Sequence, residues 1–552
     1  MRAPGPLVEG SLQPAESELD AVAGRSITAS FWTAVSRLTG LVRVAIIAAV
    51  LGPTYLANTY QATNLIPLVT YELLSGSLLV GLIVPPLVRH IQRGDARATA
   101  RLAGGFLGAA VVAFSALVIV IILIGPLVMR LLAVGVQDEP IAEDQRTVGW
   151  FLLALLMPQV VLYGVAGTGA AVMFAHGRYA LPAAASAFEN LGVVFTLACV
   201  ALVYGTGTDL GDVPTGELLL LGIGTTASAG LHAGAQYFGA RRALGMRLVP
   251  SAGWRNPEVR NVARRVVHSL GYSALTVLQF FTAILVANRI AGGVVVFMLA
   301  FNFLNVPVGL GARPVALALL PRLSQLYHDG ARLLFREELV RGAALVFFVT
   351  VPVAVVYAVL AQPIASAVSF GEIATPSAET LIAVSLASLA IAVVGESAFL
   401  LATQASYAAY DARSPLSSMV TRAAVTLIGM AATFVSSDPT FVLAMLGLAF
   451  SAGSVAGSLH LGALLKRKLP PGSERLRPSL LRAVVGSLVT AGVAYAVASV
   501  FARWERGGLS EVIVAGSAVL VGGAAFVVLQ RAWRSPELTL LLRGFRQLRV
   551  GT

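Results

Sequence analysis

The sequence predicts an all-α polytopic membrane protein with about fourteen transmembrane helices. Of its 552 residues, 57% are hydrophobic and only 12% are charged, whereas soluble domains carry about 25% charged residues. Many apolar stretches are also long enough to cross a hydrocarbon core of about 30 Å. The charges gather in the short segments between those stretches. These three observations together exclude a soluble globular fold.

Fourteen apolar stretches are predicted as membrane spans. The first seven are 27–51, 61–88, 102–133, 148–174, 180–204, 217–241 and 263–291. The other seven are 294–322, 336–360, 378–408, 413–436, 440–466, 479–502 and 510–532. The preceding segment, 1–26, is polar and acidic with no apolar core, so we expect a disordered cytoplasmic tail and not a signal peptide.

The charges of the connecting loops predict the orientation of the spans. One set of alternate loops is rich in arginine, as at Arg89, Arg93 and Arg97, while the intervening loops carry acids such as Asp138 and Glu143. Cytoplasmic loops of membrane proteins carry an excess of cations. We therefore expect a multi-pass protein of the cytoplasmic membrane with both termini in the cytoplasm. The formal net charge of +12 then reflects topology, and no nucleic acid is expected as a partner.

An internal repeat predicts how the spans are grouped. The segment that starts at Pro85-Pro86 resembles the one that starts at Pro321, and Asn64-Leu-Ile-Pro67 resembles Asn305-Val-Pro307. Spans 1–6 and 7–12 are therefore expected to form two pseudo-symmetric six-helix lobes, whose interface is where transporters commonly bind substrate. The predicted parts after the tail are an N-lobe (27–241), a cytoplasmic linker and hinge (242–265), a C-lobe (266–466), an extra helix pair (467–532) and a basic cytoplasmic tail (533–552).

Arg37, Arg43 and Arg313 lie well inside predicted spans, where a charge at the bilayer centre costs about 2.5–3.5 kcal/mol. Arg37 and Arg43 are separated by about 9 Å along a helix and about 120° around it. Either they line a wet cavity, or each pairs with an acid, of which Glu72 is the nearest in sequence. Arg313 lies in Gly309-Leu-Gly-Ala-Arg-Pro314, where glycine and proline loosen a helix, so it is also a candidate for the cavity.

Three acids within the spans are candidates for ion or proton coupling, with a hydrogen-bonded structural role as the alternative: Glu72, Glu189 and Glu396. Arg422 lies near the end of a span, and we expect its side chain to reach the membrane surface. The chain lacks a G-x-x-x-x-G-K-[ST] loop, its six histidines are scattered, and Cys199 is its only cysteine. We therefore expect neither a metal site nor a cofactor, and a transporter instead of an enzyme.

The first span also carries a motif. Ser36-Arg37-Leu-Thr-Gly40-Leu-Val-Arg43, followed by Ala45-Ile-Ile-Ala48, resembles the first-span signature of the MurJ/MviN flippases of the multidrug/oligosaccharidyl-lipid/polysaccharide (MOP) exporter superfamily. The likeness continues through Asn58, the 64–67 stretch, Gly76 and Pro85. The resemblance implies a V-shaped cationic cavity and movement of lipid II, an undecaprenyl-pyrophosphate-linked precursor of peptidoglycan, from the inner to the outer leaflet.

The same resemblance assigns residues to the cavity. Arg37 and Arg43 match two of the family's cavity arginines, whereas the positions of the other two hold Thr70 and Asn302. Two family acids are likewise replaced, by Asn58 and Ser75. The expected substrate-binding set is Arg37, Arg43, Arg313, Asn302 and Asn64.

The leading expectation is a flippase that acts by alternating access on an anionic lipid-linked glycan, with membrane lipids and cell-envelope synthesis proteins as further partners. A cation-coupled exporter similar to the MATE transporters is one alternative, in which the acids would matter more than the arginines. A membrane-embedded enzyme for polyprenyl phosphates and a non-transporting scaffold of cell-envelope synthesis are the others.

Overall fold

A computed structural model describes residues 13–74, 76–501 and 508–542, and within these residues the chain is helical almost throughout, with no strand. The first nine helices are α1 (Gln13–Leu51), α2 (Tyr55–Leu74), α3 (Gly76–Gln92), α4 (Ala96–Ala133), α5 (Glu139–Leu156), α6 (Gln159–Ala175), α7 (Ala180–Tyr204), α8 (Thr215–Leu244) and α9 (Pro257–Ala287). The others are α10 (Gly293–Pro307), α11 (Arg313–His328), α12 (Arg332–Val359), α13 (Ala361–Val368), α14 (Pro376–Ala408), α15 (Arg413–Ala431), α16 (Pro439–Lys468), α17 (Leu476–Phe501) and α18 (Gly508–Ala532).

The predicted all-α membrane fold is confirmed, and the predicted number of spans is approximate. Twelve helical segments among the described residues are long and apolar enough to cross a membrane. The two other predicted spans are also helical: 61–88 is divided between α2 and α3, and 263–291 falls mostly on α9. The short α13 is an additional helix that the apolar pattern did not separate from its neighbours.

The predicted N-terminal tail is partly helical. Residues 1–12 lie outside the described part of the chain, but α1 begins at Gln13 and continues without a break into the first span. The sequence Ala15-Glu-Ser-Glu-Leu-Asp-Ala-Val-Ala23 is rich in good helix formers. Helix propensity therefore extends the span into the polar segment.

Helices distant in sequence pack side by side. In the first half of the chain, α7 packs against α1 and α8, and α6 packs against α8. In the second half, α16 packs against α14 and α15, and α12 packs against α14. The last two helices pack on each other and against α12 and α13. The described part of the predicted basic tail, up to residue 542, also packs, with Leu538 buried beside Phe348 and Phe526.

The loops define two ends of the helix array. One, called here the acidic end, contains loops 134–138, 205–214, 288–292, 369–375 and 436–438, with Asp138, Asp209, Glu372 and Asp438 among their residues. The other, called the basic end, contains loops 93–95, 176–179, 245–256, 329–331, 409–412 and 469–475.

The two halves of the chain are joined by hydrogen bonds at the acidic end. Buried Asn58 of α2 donates to Ile290 O (2.7 Å) and accepts from Val294 N (3.0 Å). Gly292, at φ +70°, packs directly on Pro53, and a side chain on residue 292 would collide with that turn. The halves are therefore in tight contact at this end.

The predicted linker is docked at the basic end. Residues 242–244 complete α8, and residues 257–265 form the first turns of α9. The loop between them is held by Ser251 N, which donates to Gly104 O (2.9 Å), and by Tyr237 OH, which donates to Leu248 O (2.9 Å). Gly104 and Gly108 lack side chains where the loop crosses α4. A hinge in this loop would have to work while the loop stays packed on α4.

Candidate functional site

One face of α1 is polar and lies against α7. Ser36, Thr39 and Arg43 share this face because their spacing of three and four residues matches the helical period. The Ser36 hydroxyl hydrogen-bonds to the Ser186 hydroxyl (2.5 Å), and the Asn190 amide donates to the Thr39 hydroxyl (3.1 Å). These contacts hold α7 in register beside the arginine-bearing helix.

Arg43 and Glu189 meet at this contact between helices. Arg43 Nη1 lies 3.9 Å from Glu189 Oε1. The same carboxylate oxygen accepts a hydrogen bond from Tyr163 OH of α6 (2.8 Å), while Oε2 lies 2.8 Å from His232 Nδ1 of α8. We call Arg43, Tyr163, Glu189 and His232 the Glu189 cluster.

Arg43 is the least satisfied member of this cluster. Its distance to Glu189 is longer than a hydrogen bond, and its Nε is buried with no hydrogen-bond partner among the described residues. Its side chain is nevertheless 23% exposed, against 13% for Glu189. Arg43 therefore has donors to offer to a further anion.

Arg37 points away from the Glu189 cluster and towards the second half of the chain. Its Nε lies 3.3 Å from the position that a Cβ would take on Gly309, so a side chain at 309 would crowd the guanidinium. Arg37 lies within electrostatic range of Glu72 and Arg313. No ion pair within 4.0 Å joins the three among the described side chains. We call Arg37, Glu72 and Arg313 the Arg37 group, in which two cations and one acid interact electrostatically without a direct ion pair.

An irregular turn places Arg313 in this group. Between α10 and α11 the backbone forms one π-helical turn, Val308–Ala312, bounded by Pro307 and by Arg313-Pro314. Proline removes a backbone donor and widens the helix, and π-helical turns are frequent at functional sites. The prediction that glycine and proline loosen the helix here agrees with this turn.

The two predicted cavity asparagines make local contacts. Asn302 Nδ2 donates to Met298 O of its own helix (2.8 Å). Asn64 Oδ1 accepts from Gln159 Nε2 at 3.5 Å, which is the long limit of a hydrogen bond. Both side chains are partly exposed, but neither of these contacts links them to the arginines.

Glu396 is held by the second half of the chain alone. The two Nη atoms of Arg422 lie 2.6 Å and 2.8 Å from the two carboxylate oxygens of Glu396. Ser454 Oγ donates a further hydrogen bond to this carboxylate (2.7 Å). Arg422 is 8% exposed, so the expectation that it reaches the membrane surface is wrong. The reason is the close packing of α16 on α15, where Gly457 leaves room for the Arg422 stem.

Sequence reasoning does not single out His232 or Tyr163, and it names Glu72 as the nearest acid to the first-span arginines, whereas Arg43 lies beside Glu189. A histidine inside a span is itself a signal of function, although no metal-like spacing surrounds His232. Within the described residues, no group of three or more His, Cys, Asp or Glu is arranged to hold a metal ion. The cluster is thus a hydrogen-bonded acid with two basic neighbours.

Comparison with known proteins identifies the family. A sequence model of the lipid II flippase MurJ family matches residues 47–515. The chain belongs to the MurJ family. The match begins after Arg43, so the first-span motif that carries both arginines lies outside it. The family is described as a flippase, which is a transporter and not a catalytic enzyme.

Three curated relatives are described as probable lipid II flippases MurJ. The proteins of Haemophilus influenzae, Synechocystis and Rhizobium meliloti are 24%, 25% and 25% identical over 60%, 53% and 60% of this chain. The matched regions span 65%, 54% and 60% of those relatives, less than two thirds of their length.

Solved structures agree on the fold. A lipid II flippase MurJ in an inward closed conformation superposes with a TM-score of 0.72 at 15% identity, covering 92% of this chain and 98% of that one. An inward-facing MATE multidrug transporter of the MOP superfamily gives a TM-score of 0.60 at 14% identity, with 78% and 94% covered. The MATE fold is thus related, and the MurJ fold matches more of this chain. The chain is a multi-pass membrane protein of the MurJ fold.

Proposed function

We propose that this MurJ-family protein is a flippase that moves a polyprenyl-(pyro)phosphate-linked glycan such as lipid II from the inner to the outer leaflet. The observation that carries the proposal is the Arg37 group. In it, Arg37 of the first half and Arg313 of the second half lie within electrostatic range of one acid, Glu72. Two arginines near one carboxylate leave a net positive charge between the halves.

This charge suits a diphosphate headgroup. A pyrophosphate carries about two negative charges and cannot enter hydrocarbon unaided. Guanidinium groups bind phosphate oxygens through two parallel donors and stay charged at every physiological pH. Because Arg37 and Arg313 come from different halves, a bound headgroup would bridge them and respond to any movement of one half against the other.

The contacts at the acidic end support alternating access. Asn58, Gly292 and Pro53 bring the halves together there. We propose that the basic end is cytoplasmic and that the N-lobe (27–241) and C-lobe (266–466) rock about this contact. The present arrangement is then closed to the outside, and the headgroup enters from the inner leaflet.

The orientation is tested by cysteine labelling in a Cys199→Ala background. Arg93→Cys reports on the basic end and Glu143→Cys on the acidic end, since both residues are exposed. We expect an impermeant maleimide added to intact cells to label position 143 and to spare position 93. Labelling of position 93 alone would reverse the proposed orientation.

The function is tested with purified protein in liposomes that contain lipid II. Loss of one charged hydrogen-bond donor to a phosphate costs about 1.5–3 kcal/mol. Arg37→Ala and Arg313→Ala should therefore each lower the flipping rate by about tenfold to a hundredfold. Arg146→Ala is the control, because Arg146 is bound to Glu139 (2.8 Å) at the acidic end. Wild-type rates in both variants would refute the proposed role of the Arg37 group.

A further inference from the structure

The Glu189 cluster contains a charge that depends on a proton. It consists of four titratable side chains on four helices, Arg43 (α1), Tyr163 (α6), Glu189 (α7) and His232 (α8), and Tyr60 of α2 also lies within electrostatic range of it. Arginine stays protonated, and tyrosine is neutral near neutral pH. Histidine is the side chain that ordinarily changes charge between pH 5 and pH 8. His232 is 17% exposed, so its ring is not fully enclosed by the protein.

The geometry fixes where an additional proton binds. A carboxylate only accepts hydrogen bonds, so His232 Nδ1 must carry the proton that it shares with Glu189 Oε2 at 2.8 Å. An added proton therefore binds at Nε2 and makes the ring a cation. The ion pair it forms with Glu189 is shorter than the 3.9 Å contact of Arg43.

We infer that His232 is a proton-binding site that controls how strongly Arg43 binds an anionic headgroup. With neutral His232, Arg43 is the only full positive charge next to Glu189 within the described part of the chain. With protonated His232, the carboxylate has a closer cation, and the unsatisfied donors of Arg43 are released to a phosphate. This inference rests on the proposed function and adds its regulation by pH.

The two binding events must be reciprocal. If a proton on His232 strengthens headgroup binding, a bound headgroup strengthens proton binding by the same factor. When ligand binding shifts the pKa of a linked group by one unit, the ligand's affinity differs tenfold between the protonated and the deprotonated protein. Binding of a diphosphate lipid should thus become tighter in mild acid and should draw a proton from the buffer.

The test uses undecaprenyl pyrophosphate with the full chain in nanodiscs of zwitterionic lipid, at about pH 6 and about pH 8. The wild type should bind about tenfold more tightly at the lower pH. His232→Gln keeps a donor for Glu189 but takes up no proton, so its affinity should lose most of this pH dependence. His460→Gln is the matched control, because His460 hydrogen-bonds to Thr421 (2.7 Å) instead of an acid, and it should keep the wild-type profile. Protonation of the lipid itself acts on all variants alike.

Glu189→Gln separates this switch from a structural role. Removing the carboxylate releases Arg43 at every pH, so binding at about pH 8 should rise to the level that the wild type reaches at about pH 6. A purely structural Glu189 predicts weaker binding instead. Calorimetry in buffers of different ionisation enthalpy measures proton uptake on binding. The wild type should take up more protons than His232→Gln does. This measurement does not depend on whether Glu189→Gln folds.

The outcomes separate this inference from the proposed function. A wild-type pH profile in His232→Gln, equal proton uptake in the two proteins, or weakened binding in folded Glu189→Gln would overturn the inference and leave the Arg37 result untouched. A wild type that binds no diphosphate lipid at either pH would overturn both.

Discussion

The contact between Arg43 and Glu189 and the contact between Arg422 and Glu396 use the same two residue types in different geometries. In the first half of the chain, one guanidinium nitrogen lies 3.9 Å from a carboxylate that already binds Tyr163 and His232. In the second half, two nitrogens meet both oxygens at 2.6 Å and 2.8 Å. The first arginine has donors to spare, whereas the second has committed both of its terminal nitrogens.

The two contacts also occupy related places. Glu189 and Arg422 stand at the same position of α7 and α15, counted from Ala180 and Arg413. If the predicted repeat relates α7 to α15, it places a charge at this depth in both halves, with opposite sign. The two-point contact between Arg422 and Glu396 holds its helices together. The longer contact between Arg43 and Glu189, next to a histidine, can exchange partners. We infer that the second half carries the fixed contact and the first half the responsive one.

The largest expected effect is on the fixed contact. Arg422→Ala leaves the Glu396 carboxylate without its cation, which for a buried pair costs about 3–5 kcal/mol. The folded yield and the melting temperature in detergent should both fall sharply. Arg413→Ala, at the exposed start of the same helix, should leave both unchanged.

A double variant sharpens this result. Apolar replacement of a whole buried ion pair is often neutral, so Arg422→Met with Glu396→Leu should recover most of the lost stability and retain lipid flipping. If the double variant is stable but does not flip lipid II, the result would favour the alternative in which Glu396 takes part in ion or proton coupling.

An intermediate effect is expected for the responsive contact, on transport and not on folding. In Arg43→Ala, Glu189 keeps its partners Tyr163 and His232, so the loss of stability should stay below about 1 kcal/mol. Flipping of lipid II in liposomes should fall by about tenfold to a hundredfold. If Arg43→Ala is strongly destabilised, the contact of Arg43 is structural like that of Arg422, and the distinction between a responsive and a fixed contact is wrong.

The smallest effect is expected for an ion pair at the basic end, which serves as a solvent-exposed reference. Lys468 Nζ lies 2.5 Å from Asp411 Oδ2 and is 54% exposed. Burial acts to raise the pKa of Asp411, but hydrogen bonds from Lys468 and Ser414 outweigh it and lower the pKa from 3.8 to about 2. A lowered carboxyl pKa stabilises the fold above the unfolded value, and this stability is lost as the pH falls towards the folded value.

Because solvent screens the pair, Lys468→Gln should cost less than about 1 kcal/mol at neutral pH. The difference in melting temperature from the wild type should shrink between about pH 4 and about pH 2. Lys466→Gln is the control on the same helix. A difference that grows in acid would contradict this assignment.

Much of the fold follows from local sequence. The bilayer requires long apolar segments whose backbone bonds are internal, so composition and spacing alone located most of the long helices, although not the short α13. Helical geometry also predicted that Arg37 and Arg43 face different directions, and they do meet different partners, Gly309 and Glu189. The loosened helix before Arg313 was equally readable from glycine and proline.

The partners of the buried charges were decided by tertiary structure. Glu72 is nearest to Arg43 in sequence, but α7, not α2, is the helix that lies along α1, so Arg43 meets Glu189. Arg422 looked like a surface residue because hydropathy does not tell which face α16 covers. His232 gained its meaning only when α8 brought it to within 2.8 Å of Glu189. The sequence by itself determined which segments enter the membrane, since that depends on each segment's own transfer free energy. Which charges meet there depends on helix packing between segments far apart in the chain, and only the tertiary structure settles it.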